Sequence, residues 1–333
     1  MSTVGIIANP ASGKDLRRII SSGLTVTNQV KENAVRRMLL AMDVLGVERA
    51  LIMPDRSNLA GRVLAGLKGE LNHLQVSLLA MPFVLGTQDD SVRAAALMVE
   101  QGVDLIIVLG GDGTSRVVSK SSADVPLMPI STGTNNVFSQ MIEGTLVGMA
   151  AAALATGVVG RQEVCRRAPR LDLLDEAGAV VDHALIDLAV IDALDRAALA
   201  VWEPERIREL YLTQARTDCI GMAAIGAQID PLPPYSGRAS QVLLGEGTQR
   251  IVAPLAPGLM AELQVAGHSR FGPDECPEIA FRPSVIALDG EREVFVPEQV
   301  RFRVRLNPNG PVVTDIKQSL QLATERGYQP PTA

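Results

Sequence analysis

The sequence predicts an α/β protein in two parts: an N-terminal parallel-sheet α/β domain followed by a β-sandwich domain, with a C-terminal helix returning to the first domain. Three observations predict it. Short apolar runs alternate with helix-period segments through the first part of the chain. After about Gly160 the texture changes to short strands broken by Gly and Pro. The last patterned segment, "TDIKQSLQLATERG", reads as a capped helix beyond the β-rich region. The expected division is 1–145, with 311–333 docking back on it, and 146–310 for the β-rich part.

Each element has its own warrant. "TVGIIAN" is an apolar run that ends at Asn-Pro, so it reads as a first strand. "ENAVRRMLLAMDVLG" puts Val35, Met38, Leu39 and Met42 on one face at helical spacing. "RALIM" reads as a second strand, "LAGRVLAGL" as a helix and "LQVSLLA" as a third strand. "QDDSVRAAALMVEQG" opens on Asp89, Asp90 and Ser91 as cap candidates and closes at Gly102, so it reads as a helix. "DLIIVLG" and "VPLMPIS" are the fourth and fifth strands. Unbroken apolar runs suit strands covered on both faces, as in parallel sheets, and their alternation with helices implies a layered domain. The Ala-rich "LVGMAAAALATGVVG" reads as a packed helix, too short to span a bilayer. "RLDLLDEAGAVVDHALIDLAVID" reads as strand, turn and strand, with the turn near Ala177-Gly178. "ERIRELYLTQA" reads as a helix interrupting the β region. "QVLLGEGTQRIVAPLAPG", "AELQVAG", "SVIALDG", "EREVFV" and "VRFRVRLNPNG" supply the sandwich strands.

Composition excludes several classes of function. In 333 residues, 47% are hydrophobic and only 3% aromatic, so a sizeable core built from Ala, Val, Leu and Ile is expected. A net charge of −6 argues against a nucleic-acid partner and against stable membrane association. Cys165, Cys219 and Cys276 are scattered, without zinc or disulfide spacing. Reduced thiols and a start, "MSTVGIIANP", unlike a signal peptide point to the cytoplasm. His73, His183 and His268 lie in unrelated segments and suggest no metal site.

The chemistry gathers at strand ends. "VLGGDGTSR" places Gly110, Gly111, Asp112, Gly113 and Thr114 where the fourth strand passes into a helix. Ligands of open parallel sheets bind outside the carboxyl ends of strands. Glycines there let backbone N–H groups approach an anion, and a helix N-terminus adds favourable partial charge. A lone carboxylate in such a loop suits Mg²⁺ or the proton of an attacking hydroxyl; the alternative is a tight turn needing glycine at positive φ. "NPASGK", with Asn9, Ser12 and Lys14, follows the first strand. "MPISTGTNNVF", with Gly133, Thr134, Asn135 and Asn136, follows the fifth. Three polar loops at the ends of strands one, four and five would share one rim.

Together these motifs resemble the superfamily that joins ATP-NAD kinases with diacylglycerol and sphingosine kinases, and in particular its acetoin-catabolism protein X branch. "GGDGT" is similar to both kinase branches, "NPASG" and "PISTGTNNVF" to the lipid-kinase side, with Val137 where Asp is usual. "IALDGERE", with Asp289, Gly290 and Glu291, resembles the Asp-Gly-Glu element near the end of both. "ALIDLAVID" resembles the Ala-Leu-Asn-Glu strand of NAD kinases, which contacts the dinucleotide. The resemblance spans nearly the whole chain and carries the family fold, an α/β domain followed by a β-sandwich. It implies phosphoryl transfer from ATP or polyphosphate to a hydroxyl, with NAD the leading acceptor, in a cytoplasmic homo-oligomer. Asp112 would be the general base or Mg²⁺-linked carboxylate. Asn9, Ser12, Lys14, Gly110, Gly111, Gly113, Thr114, Gly133, Thr134, Asn135 and Asn136 would hold phosphates and nucleotide. Asp187, Asp289 and Glu291 would form the acceptor side.

Two departures qualify the acceptor. Ile186 stands where NAD kinases have Asn, and it can neither donate nor accept a side-chain hydrogen bond. The Gly-Ser-Thr-Ala-Tyr run of NAD kinases has no clear counterpart near "TDCIGMAAIGAQ". Two rivals therefore stand beside the NAD kinase reading: a diacylglycerol-type lipid kinase, and a catalytically silent nucleotide sensor. Plainer roles also stand for single residues. Asp187 could end a strand or pair with an Arg, "DGERE" could be only a hairpin turn, and Arg166, Arg167 and Arg170 could be a solvated linker.

Overall fold

The computed structural model describes residues 1–12, 26–133, 136–192 and 204–328. Chain order alternates as expected through the first part: β1 (Thr3–Ala8), α1 (Asn28–Val44), β2 (Arg49–Ile52), α2 (Leu59–Gly66), β3 (Gln75–Leu78), α3 (Gln88–Glu100), β4 (Leu105–Gly110), α4 (Asp112–Ser119), β5 (Leu127–Ser131), α5 (Gly144–Ala155) and the short α6 (Arg161–Val164). Then follow β6 (Cys165–Arg167), β7 (Arg170–Leu174), β8 (Val180–Ala184), β9 (Asp187–Ile191), β10 (Ile207–Leu212), α7 (Met222–Ala227), β11 (Ala239–Ala256), β12 (Leu259–Phe271), β13 (Ser284–Leu288), β14 (Glu291–Val296), β15 (Arg303–Asn307), β16 (Val312–Thr314) and α8 (Ile316–Arg326).

The first sheet has the order β3-β2-β1-β4-β5-β16-β6. Its first five strands pair in parallel, β16 continues parallel beside β5, and β6 runs antiparallel at the edge. Neighbouring residues on one strand point to opposite layers, so Ile6 and Ile107 enter one core while Ile7, Ile106 and Val108 enter the other. This is why the strands read as unbroken apolar runs. Helices α1, α2, α5 and α8 cover the first face, and α3 and α4 the second.

The C-terminal segment returns as expected: Ile316 and Ala323 lie in the same core as Val147 and Leu154 of α5. Asp315 caps the returning helix by accepting from the Gln318 N–H at 3.0 Å. Helix α5 and strand β6 also belong to this layer, so the first core runs past residue 145. The N-cap position of helix α3 is Thr87, not Asp89 or Ser91, and its side chain makes no capping hydrogen bond. Asp90 instead reaches back from the first turn to the N–H groups of Leu85 and Gly86.

Helices α1 and α5 lie against each other at backbone distance. A methyl group on Gly148 would stand 2.4 Å from the Met38 carbonyl oxygen and 2.9 Å from the Ala41 Cβ. Backbone on the far side cannot yield, so Gly148→Ala should cost about 1–3 kcal/mol from overpacking, offset in part by about 1 kcal/mol of helix propensity. The expected result in thermal unfolding is a lowered midpoint; an unchanged or raised one would mean that the helices separate freely.

The second part contains two antiparallel sheets, of order β12-β11-β10-β9-β13-β14 and β15-β7-β8. Leu171, Leu173, Ala184, Val304 and Leu306 of the smaller sheet share a core with Leu188, Val190, Tyr211 and Ile286 of the larger. The opposite face of the larger sheet, with Ala189, Ile191, Leu210 and Leu212, packs on Ile225 and Ala227 of α7. The segment "ERIRELYLTQA", expected as a helix, is the strand β10. Its apolar residues look helical because both faces of β10 are covered and because a charge is buried in the strand. Glu209 is 2% exposed and accepts from the N–H groups of Ala280 and Phe281 and from the Tyr211 hydroxyl, at 2.7, 2.6 and 2.7 Å.

Candidate functional site at the ends of three parallel strands

Strands β1, β4 and β5 are neighbours in the sheet, so the loops that follow them meet at one edge. Their side chains are joined. Asn9 donates to the Thr114 hydroxyl at 3.0 Å, and the hydroxyls of Ser12 and Thr132 lie 3.1 Å apart. The Thr132 N–H donates to the Gly110 carbonyl at 3.0 Å. Asn136 accepts from the Asp112 N–H at 3.3 Å and donates to the Ser131 hydroxyl at 2.7 Å. Gly133 enters through its carbonyl, which accepts from Asn136 at 3.4 Å. Lys14, Thr134 and Asn135 lie outside the described residues.

The glycines of the motif serve close approach rather than a left-handed turn. Gly111, which precedes α4, has φ −109° and ψ −172°, and neither Gly110 nor Gly113 is among the described residues of positive φ. A methyl group on Gly110 would lie 2.6 Å from Thr114 Cβ, one on Gly111 3.0 Å from Asn136 Oδ1, and one on Gly113 3.0 Å from Glu291 Oε1. Each bare position thus admits a different candidate residue, and the last comes from the second part of the chain.

Asp112 is 9% exposed. Its Oδ2 accepts from the Val137 N–H at 2.7 Å, and its Oδ1 from Phe138 and Ser139 at 3.2 and 2.9 Å. Burial pushes its pKa up, while the three N–H groups oppose the shift. This arrangement offers no all-protein cage for Mg²⁺: three N–H groups occupy three of the carboxylate's lone-pair sites and leave one on Oδ2, and the described residues contain no group of three or more His, Cys, Asp or Glu suited to a metal.

Asp289 and Gly290 form the two-residue turn between β13 and β14, with φ of 48° and 83°. Positive φ at both positions is the signature of a type I′ hairpin. Turn and site coincide here. The Asp289 carboxylate accepts from the N–H groups of Leu185, Ile186 and Asp187 at 2.7, 2.8 and 3.1 Å. Burial pushes its pKa up to about 7; the Arg116 guanidinium opposes the shift and the Asp112 charge adds to it. Asp187 supplies its backbone N–H here, and the Ile186 side chain is buried.

Several participants were not among the expected residues. Arg116, one turn after Asp112 on α4 and fully buried, donates to Asp182 of β8 at 3.2 Å. Lys120 donates to the same oxygen at 2.9 Å. Ser119 and His183 Nε2 are 2.8 Å apart, and burial holds the His183 pKa down at about 4, so this contact is made by a neutral ring near pH 7. A shallow, solvent-open recess adjoins the site, lined by Phe138, Leu185, Thr213, Gln214 and Tyr235 among others. Arg166 stacks over the Tyr235 ring at 3.8 Å, so it is more than a solvated linker residue. Only the position of Arg116 just after the motif could have flagged it in the sequence.

Comparison with known proteins places the chain by family and fold. Residues 4–159 match the family model described as the ATP-NAD kinase N-terminal domain, and residues 170–309 the acetoin catabolism protein X C-terminal domain. Acetoin catabolism protein X of Cupriavidus necator is 38% identical over 301 residues, covering 87% of this chain and 84% of that protein. Among solved structures, yeast NADH kinase complexed with NADH matches with a TM-score of 0.53 and 11% identity, over 98% of this chain and 87% of that one. At that identity the likeness speaks to the fold alone.

Proposed function

The chain belongs to the acetoin catabolism protein X family, and on that premise we propose that it is a kinase of the NAD kinase type, transferring a phosphoryl group from ATP or polyphosphate to a hydroxyl of NAD. One observation carries the reading. Three strand-end loops are hydrogen-bonded into one rim, and a carboxylate-bearing hairpin from the second part of the chain closes against it. The matched ATP-NAD kinase domain and the NADH kinase fold support it.

In this reading the loops around Asn9, Gly110–Thr114 and Asn136 receive the phosphates, aided by the N-terminus of α4. The acceptor lies toward Asp289 and Glu291, with a ring in the recess beside Phe138 and Tyr235. The acceptor oxygen attacks the terminal phosphorus. A new O–P bond forms, the bridging P–O bond breaks, and ADP or a polyphosphate shortened by one unit leaves. The hydroxyl proton passes to Asp112 Oδ2, which accepts only one N–H and so keeps a lone pair for it. Mg²⁺ as a protein-bound ion plays no part in this assignment.

A second reading has its own support. Asp112 is held by three N–H groups and Ile186 is buried where an amide would contact the acceptor, which suits a nucleotide sensor without turnover. A product assay with ATP or polyphosphate and Mg²⁺, against NAD, NADH and a diacylglycerol panel, separates the readings. The expected product is NADP. Phosphorylated lipid would move the chain to the lipid-kinase branch, and ligand binding without product would establish the sensor.

A further inference from the structure

Lys31 lies at the end of the first turn of α1, and the residue is 1% exposed. Its ammonium donates to the carbonyl oxygens of Asn9, Pro10 and Ser12, at 2.8, 3.2 and 2.6 Å. An ammonium has three protons, and three acceptors come from one four-residue stretch. That stretch is the loop after β1, whose side chains reach the other two loops through Asn9–Thr114 and Ser12–Thr132. Asn9 Oδ1 also accepts from the Ala11 N–H at 2.9 Å, which tightens the same turn.

The consequence is electrostatic as well as geometric. A loop that receives an anion must turn its carbonyl oxygens away from it, because their partial negative charge would repel phosphate. Three such oxygens are drawn inward here onto a buried cation. The cation also stands behind the loop, where low dielectric keeps its field strong. We propose that Lys31 is the positioning residue of the phosphate-binding loop, holding the carbonyls of Asn9, Pro10 and Ser12 inward so that the loop accepts a polyphosphate. It touches no substrate and acts through the backbone it holds. The inference rests on the kinase reading only in taking this loop as the phosphate side of the site.

The test measures binding and needs no turnover. Full-length wild type, Lys31→Met and Lys31→Gln are titrated with inorganic tripolyphosphate and with ATP at several salt concentrations, and thermal midpoints are recorded alongside. Lys31→Gln keeps N–H donors but removes the charge. Both variants are expected to bind tripolyphosphate at least tenfold more weakly, with a shallower salt dependence. A merely structural role would lower the midpoint and leave the salt dependence of the remaining binding unchanged. If Lys31→Met does not fold, Lys31→Gln alone decides. Wild-type affinity and salt dependence in Lys31→Gln would overturn the inference and leave the kinase reading intact. If wild type binds neither tripolyphosphate nor ATP, both fall together.

Discussion

Asp112→Asn should lower phosphoryl transfer by at least about a hundredfold, because a positioned base contributes on the order of 10²–10⁴ in rate. It should also destabilise the protein, because Asp112 is a clamp on the chain that follows β5. Two carboxylate oxygens hold the N–H groups of Val137, Phe138 and Ser139. An amide offers one oxygen, and its NH₂ would face N–H donors. At least one buried donor then loses its acceptor, at about 1–3 kcal/mol. Asp112→Ala removes both acceptor oxygens, strands all three N–H groups and should cost several times as much, a large share of the roughly 5–15 kcal/mol that holds a domain folded. Asn is therefore the informative variant and Ala the folding control. Single-turnover product formation, read beside urea unfolding and ATP binding, separates the two roles. Loss of turnover with ATP still bound would assign the base. Wild-type turnover in a destabilised Asn variant would leave Asp112 a clamp only.

That double role bears on what the sequence made legible. The first sheet could be read because its strands are covered on both faces and so stand out as apolar runs such as "DLIIVLG". The convergence of loops one, four and five could be read because their strands are adjacent in the sheet. Strand β10 could not, since a strand buried on both faces and carrying the buried Glu209 has no period-two pattern to betray it. At the site, residue types were legible and partners were not. Asp112, Asp289 and the buried Asp43 each gather three consecutive backbone N–H groups from a distant segment, as Asp43 does at Asn72, His73 and Leu74. Nothing local to an aspartate announces such a contact, because any backbone can supply it. Lys31 escaped for the same reason: its acceptors are carbonyls, which every residue possesses.

Asp289 should make the protein less stable as pH rises from about 4 to about 7, the reverse of what an ordinary paired carboxylate does. Its pKa in the fold is raised to about 7 by burial, against roughly 3.9 for an unfolded Asp. Below the unfolded value both states carry the proton, and the stability contributed by the raised pKa is fully present. Above it the unfolded chain gives up the proton while the fold keeps it, so that contribution falls until the folded group ionises near pH 7. The difference amounts to a few kcal/mol. Asp112 is shifted in the same direction, so the wild-type curve alone cannot assign the effect. The decisive quantity is the difference in unfolding free energy between wild type and Asp289→Asn, measured in urea at intervals from pH 4 to pH 8. Asn keeps one of the two acceptor oxygens, so at least one of the Leu185, Ile186 and Asp187 N–H groups loses its acceptor, which is an offset independent of pH. On top of it the wild-type advantage should shrink as pH rises and level off above pH 7. An advantage that grows with pH would mean that the three N–H groups and the nearby Arg116 outweigh burial and keep Asp289 ionised throughout. In that case Asp289 could serve the acceptor side only as a fixed negative charge. A shrinking advantage leaves a proton on it near neutrality, where it can be passed to or from a hydroxyl bound between the two parts of the chain.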